Sequence, residues 1–304
     1  TLKIIYYSKN ISENFIIKNK IDVSMVVATH KGVDRLPFLV ESIKQNTFLP
    51  KEIIICGTSY GDIKYLKKKD ITQLNIRFYK SKIKNQIVQR KLAISKISQN
   101  YILQIDDDNY LNNDFFKNLD IHVKDKDLKK VTMTLVLIPN KKEQSFRWSE
   151  YYRSNLYFRL FLRFFNYGKK ISYMSILPSG RICPLLPKGF SKRKKLLKNI
   201  QWTNSTICYH KSALNVPRVN PIIKKNEKSY YEDVIFSHNL YQKGYKLQLD
   251  PKLKGVHPFF NSLDFKVHLK TLKTQFYIVN KFNKNYIMFL FDMILATIFL
   301  IFRK

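Results

Sequence analysis

Cysteine is scarce. Cys56, Cys183 and Cys208 are the only three in 304 residues, and no two are closely spaced. That argues against a disulfide scaffold and against a zinc site, and it fits a reducing, cytosolic setting. Acidic residues are few as well: 22 Asp and Glu face 55 Lys and Arg, for a formal net charge of +33. Such an excess calls for an anionic partner. The lysines are scattered along the whole chain among abundant Asn, Ile, Tyr and Phe, which marks a compositional bias more than a nucleic-acid groove. A phosphorylated substrate or an anionic membrane face meets the charge as well. Zinc-finger, helix-turn-helix and RNA-recognition signatures are missing, and there is no internal repeat or low-complexity segment. The opening "TLKIIYYSKNISENF" has only a short apolar run, broken by Ser8, Lys9 and Asn10, so no secretory signal is predicted.

Long apolar runs are nearly absent. "YIMFLFDMILATIFLIF", residues 286–302, is interrupted by Asp292 and Thr297 and flanked by Lys281, Lys284, Arg303 and Lys304. It falls slightly short of the roughly 20 apolar residues a spanning helix needs, and an intramembrane Asp costs about 2.5 kcal/mol or more. A membrane anchor and a helix docked on protein both remain open. A second basic and aromatic stretch, "LYFRLFLRFFNYG", sets Arg159 and Arg163 four apart among Phe158, Phe161, Phe164 and Phe165. It suits either an anionic membrane interface or a helix packed on a sheet with its arginines paired or snorkelling.

At 45% hydrophobic and 14% aromatic, the chain can bury a sizeable core and is not disordered. Its first half alternates strand and helix signals. "IDVSMVVATH", "KEIIICG", "LNIRFYKS" and "YILQI" read as strands. "GVDRLPFLVESIKQNT", with Leu36, Leu39, Val40 and Ile43 at helical spacing, "GDIKYLKKK" and "NQIVQRKLAISKIS" read as helices. Repeated strand–helix units predict an α/β fold, a mainly parallel central sheet with helices on both faces. The second half reads as strand "KVTMTLVLIP", helix over 149–168, a Pro/Gly-rich basic loop at 178–195, strand–turn–helix in "WTNSTICYHKSAL", and a helix ending near Gly244 followed by a short strand.

Ligands gather at the carboxyl ends of such strands. "YILQIDDDNYL" places Asp106, Asp107 and Asp108 at one. Three adjacent carboxylates repel one another and gain nothing from burial, so a divalent cation is the natural partner. Asp106 and Asp108 flank one residue and point the same way along an extended segment. An acidic turn capping the following helix is the competing explanation.

Four segments in order carry a family resemblance: "VSMVVATHKGVDRLPFLVESIKQNTFLPKEIII", "QIDDDNYL", "WTNSTICYHKSAL" and "YYEDVIFSHNLYQKGYKL". Together they resemble a family-2 glycosyltransferase of the GT-A (nucleotide-diphospho-sugar transferase) fold, inverting in mechanism, over residues 22–250. The resemblance implies a hexosyltransferase-like enzyme that uses Mg or Mn to move a sugar from a nucleotide-diphosphate donor to a saccharide or lipid-linked acceptor. Surface polysaccharide synthesis at the inner face of a membrane, with peripheral membrane contact and no nucleic-acid partner, is the implied setting. The expected division is an N-terminal extension at 1–20, a GT-A domain at 21–260 and a C-terminal helical segment at 261–304, whose apolar run leaves membrane association and docking on protein both open. By resemblance Asp233 is the base that takes the acceptor proton, and Glu232 supports it. Asp106 and Asp108 ligate the metal, Asp106 also lies near the ribose, and His257 helps hold the metal. Thr29 and Arg90 face the donor, and Trp202 and Asn204 line the acceptor pocket. For Glu232 and Asp233, stabilisation of a helix dipole is the plainer alternative.

One departure stands out. Where the family ends its second strand in paired aspartates that read the nucleotide base, this chain has Gly57 and Thr58, with only Asp62 nearby. The usual uridine preference does not follow. Two rival readings are weaker. A nucleotidyltransferase needs a Gly-rich phosphate loop after the first strand, and "ATHKGVDRLP" offers one glycine. A nucleic-acid-binding protein rests on charge alone, and the Asp triplet would repel phosphate.

Overall fold

The computed structural model describes residues 18–137, 156–217, 231–257 and 265–301. In chain order the first half runs β1 (Lys20–Ala28), α1 (Leu36–Lys44), β2 (Leu49–Gly57), α2 (Lys68–Gln73), β3 (Ile76–Lys80), α3 (Gln86–Ile94), β4 (Tyr101–Asp106), β5 (Tyr110–Leu111), α4 (Phe115–Lys124) and β6 (Lys130–Leu137). The second half runs α5 (Leu156–Phe164), β7 (Ser175–Ile176), β8 (Ile182–Cys183), β9 (Leu197–Lys198), β10 (Ile207–His210), α6 (Glu232–Gln242), β11 (Lys246–Val256), α7 (Phe265–Lys281) and α8 (Tyr286–Ile301).

The central sheet has the order β3-β2-β1-β4-β10-β6-β11-β5, with β9 on β11. β1, β2, β3 and β4 pair in parallel, and so do β6 and β11. β10 is inserted antiparallel between β4 and β6. The long strands therefore share one direction, and their C-terminal ends open on one edge.

The sheet is buried on both faces, which explains the near-continuous apolar runs of its strands. Val23, Met25 and Val27 of β1 pack with Leu36, Leu39 and Ile43 of α1 and Phe115, Phe116 and Leu119 of α4. Val26 turns to the other face, with Ala93 of α3 and Val234, Ile235 and Phe236 of α6.

Some elements differ from expectation. The stretch 61–69 is not one helix. A 3-10 turn at Tyr60–Ile63 is closed by a Ser59–Asp62 capping box, and α2 begins only at Lys68. The box satisfies the first free N–H groups at the start of that turn. β11 is eleven residues long rather than short, with an irregularity between Asp250 and Lys254. The helix expected over 149–168 spans Leu156–Phe164, and its predicted start lies outside the described residues. The part of the apolar run that is described, Tyr286–Ile301, docks on protein: Asp292 of α8 is fully buried, and both its oxygens accept from Arg181. No helix among the described residues is long and apolar enough to cross a membrane.

Candidate active site

β1 and β4 run side by side with Ala28 opposite Asp106, so the residues after both strands emerge together. Asp107 joins the two tips. Its Oδ2 accepts from Thr29 Oγ1 at 2.5 Å and from Arg35 Nη2 at 2.9 Å. Burial pushes the Asp107 carboxyl up to about 6, although the Thr29 hydroxyl and the Arg35 guanidinium pull the other way. Gly32 lets the chain turn here: a Cβ at this position would stand 1.9 Å from Thr29 Oγ1 and 2.8 Å from Asp107 Oδ2.

Asp106 faces the opposite side. Its Oδ1 accepts from Arg90 Nη2 at 2.5 Å and from Gln86 Nε2 at 2.8 Å, and its Oδ2 accepts from the Ser205 hydroxyl. Arg90 is 2% exposed, and its second terminal nitrogen donates to Glu232, itself 3% exposed. Burial opposes the charge on Arg90, but the fields of Glu232, Asp106 and Asp233 prevail and hold the proton more firmly than usual. A buried cation thus bridges the tip of β4 to the first turn of α6.

Asp233 follows Glu232 in that turn, after Tyr231 in a left-handed conformation at φ 59°. It accepts the N–H of Val234 at 3.0 Å. Burial, then the charge of Glu232, pushes its carboxyl up to about 7, and Arg90 only partly offsets them. That places Asp233 where a general base works best near neutral pH. The α6 turn is anchored to the neighbouring segment: Ser237 Oγ accepts from Thr203 N at 2.9 Å, and His238 Nδ1 meets the Gln201 carbonyl at 3.0 Å.

Asp108 lies near a different partner. β5 pairs antiparallel with the end of β11, Tyr110 opposite Val256. That register brings His257 Nε2 to 3.2 Å from Asp108 Oδ2. Burial works to raise the Asp108 pKa, but the hydrogen bond and charge of His257 prevail and hold it below the ordinary value. Burial likewise works to lower the His257 pKa, and Asp108 more than offsets it, so the net shift is upward. Asp108 Oδ1 and His257 Nδ1 are buried with no hydrogen-bond partner.

Those orphaned donor atoms fit a divalent cation. Carboxylate oxygen suits Mg and Mn, and imidazole is an acceptable additional ligand for a transition ion. No group of three or more His, Cys, Asp or Glu is disposed to hold a metal among the described residues. Sites of the Mg type commonly use one or two protein ligands and fill the remaining positions with substrate phosphate and water.

No protein-family model matches the sequence, and no curated protein sequence matches it. Solved structures do. The structure of S. aureus TarS 1–349 superposes with a TM-score of 0.50 at 11% identity, covering 84% of this chain and 65% of that one. GalNAc-T7 with UDP, GalNAc and Mn2+ gives a TM-score of 0.55 at 14% identity, covering 85% of this chain and 47% of that one. The chain has the GT-A fold. It spans less than two thirds of either neighbour's length, and likeness at such low identity carries architecture alone. Within the GT-A sheet, the acidic triplet lies at the strand ends where ligands collect.

Of the residues singled out from sequence, Asp106, Arg90, Glu232 and Asp233 form one charged network, and Asp108 and His257 form a second pair. Thr29 ties into the acidic tip through Asp107, and its carbonyl accepts from Gln89 Nε2 at 2.7 Å. Trp202 packs in the core at 5% exposure, with its indole nitrogen buried and unpartnered. Asn204 is engaged by backbone: its amide donates to the Thr134 carbonyl at 3.1 Å and its Oδ1 accepts from Thr206 N at 3.0 Å. Asp62 is occupied too, accepting from the N–H groups of Thr58 and Ser59 at 3.1 Å each. Sequence reading passed over Gln86, Ser205 and Arg35. Gln86 and Ser205 hold Asp106, and Arg35 holds Asp107.

Proposed function

We propose that the protein is a metal-dependent, inverting glycosyltransferase that moves a sugar from a nucleotide-diphosphate donor to a saccharide or lipid-linked acceptor. Surface polysaccharide synthesis at the inner face of a membrane is its proposed setting. The observation that carries this reading is the Arg90 bridge, which fixes Glu232 and the adjacent Asp233 against the acidic tip of β4. A cluster of solvated surface acids would need no buried guanidinium between them. The GT-A architecture supports the reading, as does a structural neighbour that holds UDP, GalNAc and Mn2+.

In this mechanism Asp108 and His257 would hold the cation, and Asp106, Thr29 and Arg90 form the wall on the donor side. A divalent cation held there would supply Lewis-acid neutralisation of the charge on the leaving diphosphate. Asp233 accepts the proton of the acceptor hydroxyl as its oxygen bonds to the anomeric carbon. The bond from that carbon to the diphosphate oxygen breaks on the opposite face. One such in-line step inverts the anomeric centre. Glu232, held by Arg90, precedes Asp233 in the first turn of α6, and its charge helps raise the proton affinity of Asp233. Trp202 and Asn204 shape the acceptor side from the segment anchored to α6.

The test is a thermal-shift screen of nucleotide sugars with and without Mn, followed by transfer assays on the preferred donor. Asp233→Asn and Asp108→Asn should each abolish transfer while far-ultraviolet circular dichroism stays unchanged. Asp108→Asn alone should also lose the Mn-dependent shift. Near-normal turnover in either variant removes that residue from its role.

A further inference from the structure

We infer that the outer face of α8 seats in the headgroup layer of an anionic lipid bilayer, with the helix lying along the surface rather than crossing it. Ile287, Leu290, Phe291, Ile294, Leu295 and Ile298 are 41–66% exposed. Their spacing of three and four puts them on one stripe of the helix. Scattered exposed apolar residues are ordinary, but a continuous stripe marks an interaction surface.

The helix cannot roll to hide this stripe. On its opposite side Asp292 is fully buried, held by Arg181 Nε at 2.8 and 2.9 Å, Ser179 Oγ at 2.9 Å and Gln275 Nε2 at 3.0 Å. Phe289 is buried beside Phe276 of α7, with ring centroids 5.8 Å apart. Rolling would break these hydrogen bonds and drag a paired carboxylate into an apolar environment.

Charge selects the occupant. Between Leu156 and Pro217 there is no acidic residue, and in 265–301 Asp292 is the sole one. Asn285 Nδ2 donates to Tyr167 Oη at 3.0 Å, which ties the residue before α8 to a stretch that carries the exposed cations Arg163, Lys169 and Lys170. Lys281 is exposed one turn before that helix. An apolar stripe in so cationic a part of the chain is complementary to an anionic bilayer. A second copy of a chain with net charge +33 would bring like charges together instead. The inference deepens the proposed function, because a lipid-linked acceptor would lie in the same surface. Its test uses binding alone.

The experiment is flotation of the full chain with vesicles of phosphatidylcholine containing phosphatidylglycerol, and with phosphatidylcholine alone. Transfer to a soluble acceptor and light scattering are measured in parallel. The parent and Asp233→Asn should float with the anionic vesicles, and weakly or not at all with neutral ones. Leu290→Glu/Ile294→Glu and the milder Phe291→Ser should each lose about tenfold or more in partition with melting curves unchanged, while Tyr65→Glu, at an exposed site away from α8, should bind like the parent. Failure of the parent to bind anionic vesicles overturns the inference, and so does undiminished binding by both stripe variants. A concentration-dependent dimer that the stripe variants abolish, with vesicle binding intact, assigns the face to a second copy and also overturns it. Stripe variants that lose binding but keep transfer leave the proposed function standing; a parent that binds anionic vesicles but transfers no sugar overturns the proposed function and leaves this inference standing.

Discussion

Replacing Arg90 with methionine should destabilise the protein by about 3–5 kcal/mol, the usual cost of removing one partner of a buried ion pair. Methionine fills much of the volume of the arginine stem, so packing loss is minor and the effect isolates the charge. In the parent, the guanidinium donates to Glu232 on one side and Asp106 on the other, with Asp233 close enough to feel its field. Without it, Glu232 at 3% exposure is left as a buried anion beside two more carboxylates. At about 2 °C per kcal/mol for a domain of this size, the melting temperature should fall by roughly 6–10 °C. Thermal and urea unfolding followed by circular dichroism at pH 7.5 measure it. The deficit should shrink as pH falls into the carboxylate range, because protonation removes the repulsion that Arg90 no longer screens. The double variant Arg90→Met/Glu232→Gln should recover part of the loss, since deleting both charges costs less than stranding one. Transfer should vanish in the single variant: Asp233 would lose its one stabilising cation and stay protonated at neutral pH. An Arg90→Met protein within 1 kcal/mol of the parent at pH 7.5 would refute the bridge as described.

Three further outcomes follow from the same geometry. The Asp233 carboxyl, pushed up to about 7 from an ordinary 3.8, gives an acid limb: kcat/KM should rise with pH through about 7 and then level off. The sign for stability is opposite, because the folded state binds the proton more tightly than the unfolded one. Asp233→Asn should therefore raise the melting temperature above pH 7 and lose that advantage by pH 4. Gly32→Ala should break the Thr29–Asp107 hydrogen bond, since its Cβ lands 1.9 Å from Thr29 Oγ1, and cost about 1–3 kcal/mol; an unchanged melting temperature would show that the turn relaxes freely. Asp292→Ala should cost about 3–5 kcal/mol by removing the buried acceptor of Arg181, Ser179 and Gln275 and expose α8 to limited proteolysis, whereas Asp292→Asn, which still accepts from Ser179, should cost less.

The fold was legible because its signals are local. Leu36, Leu39, Val40 and Ile43 announce the buried face of α1, and all four are buried. The apolar runs of β1, β2 and β4 read as strands because both sheet faces are covered. What escaped depends on residues far apart in the chain. Arg181 and Asp292 are separated by 111 positions, and from sequence Asp292 is only a polar interruption in an apolar run. Arg90 and Glu232 are 142 apart: the resemblance puts Arg90 on the donor side, but nothing local in "QRKLAI" shows its pairing with Glu232. The buried face of α3 is centred on Gln89, Arg90 and Ala93 rather than on aliphatic residues alone, because the site needs a cation there. β5 has two residues, too few to show a period, yet its pairing with β11 is what brings His257 to Asp108.

The four aspartates and one glutamate of the site are divided among separate counter-charges, and this division assigns their chemistry. Arg35 and the Thr29 hydroxyl hold Asp107, which leaves it a strut between strand tips. Arg90 holds Asp106 and Glu232, which makes them a rigid link between the tip of β4 and the first turn of α6. Asp108 has only a histidine on one oxygen and nothing on the other, so it can take a cation without giving up a protein bond. Asp233 has no cation of its own, lies beside Glu232, and keeps the highest proton affinity of the aspartates whose shifts are resolved. A metal ligand must stay ionised and a base must want a proton. The environments of Asp108 and Asp233 push their pKa values in those opposite directions.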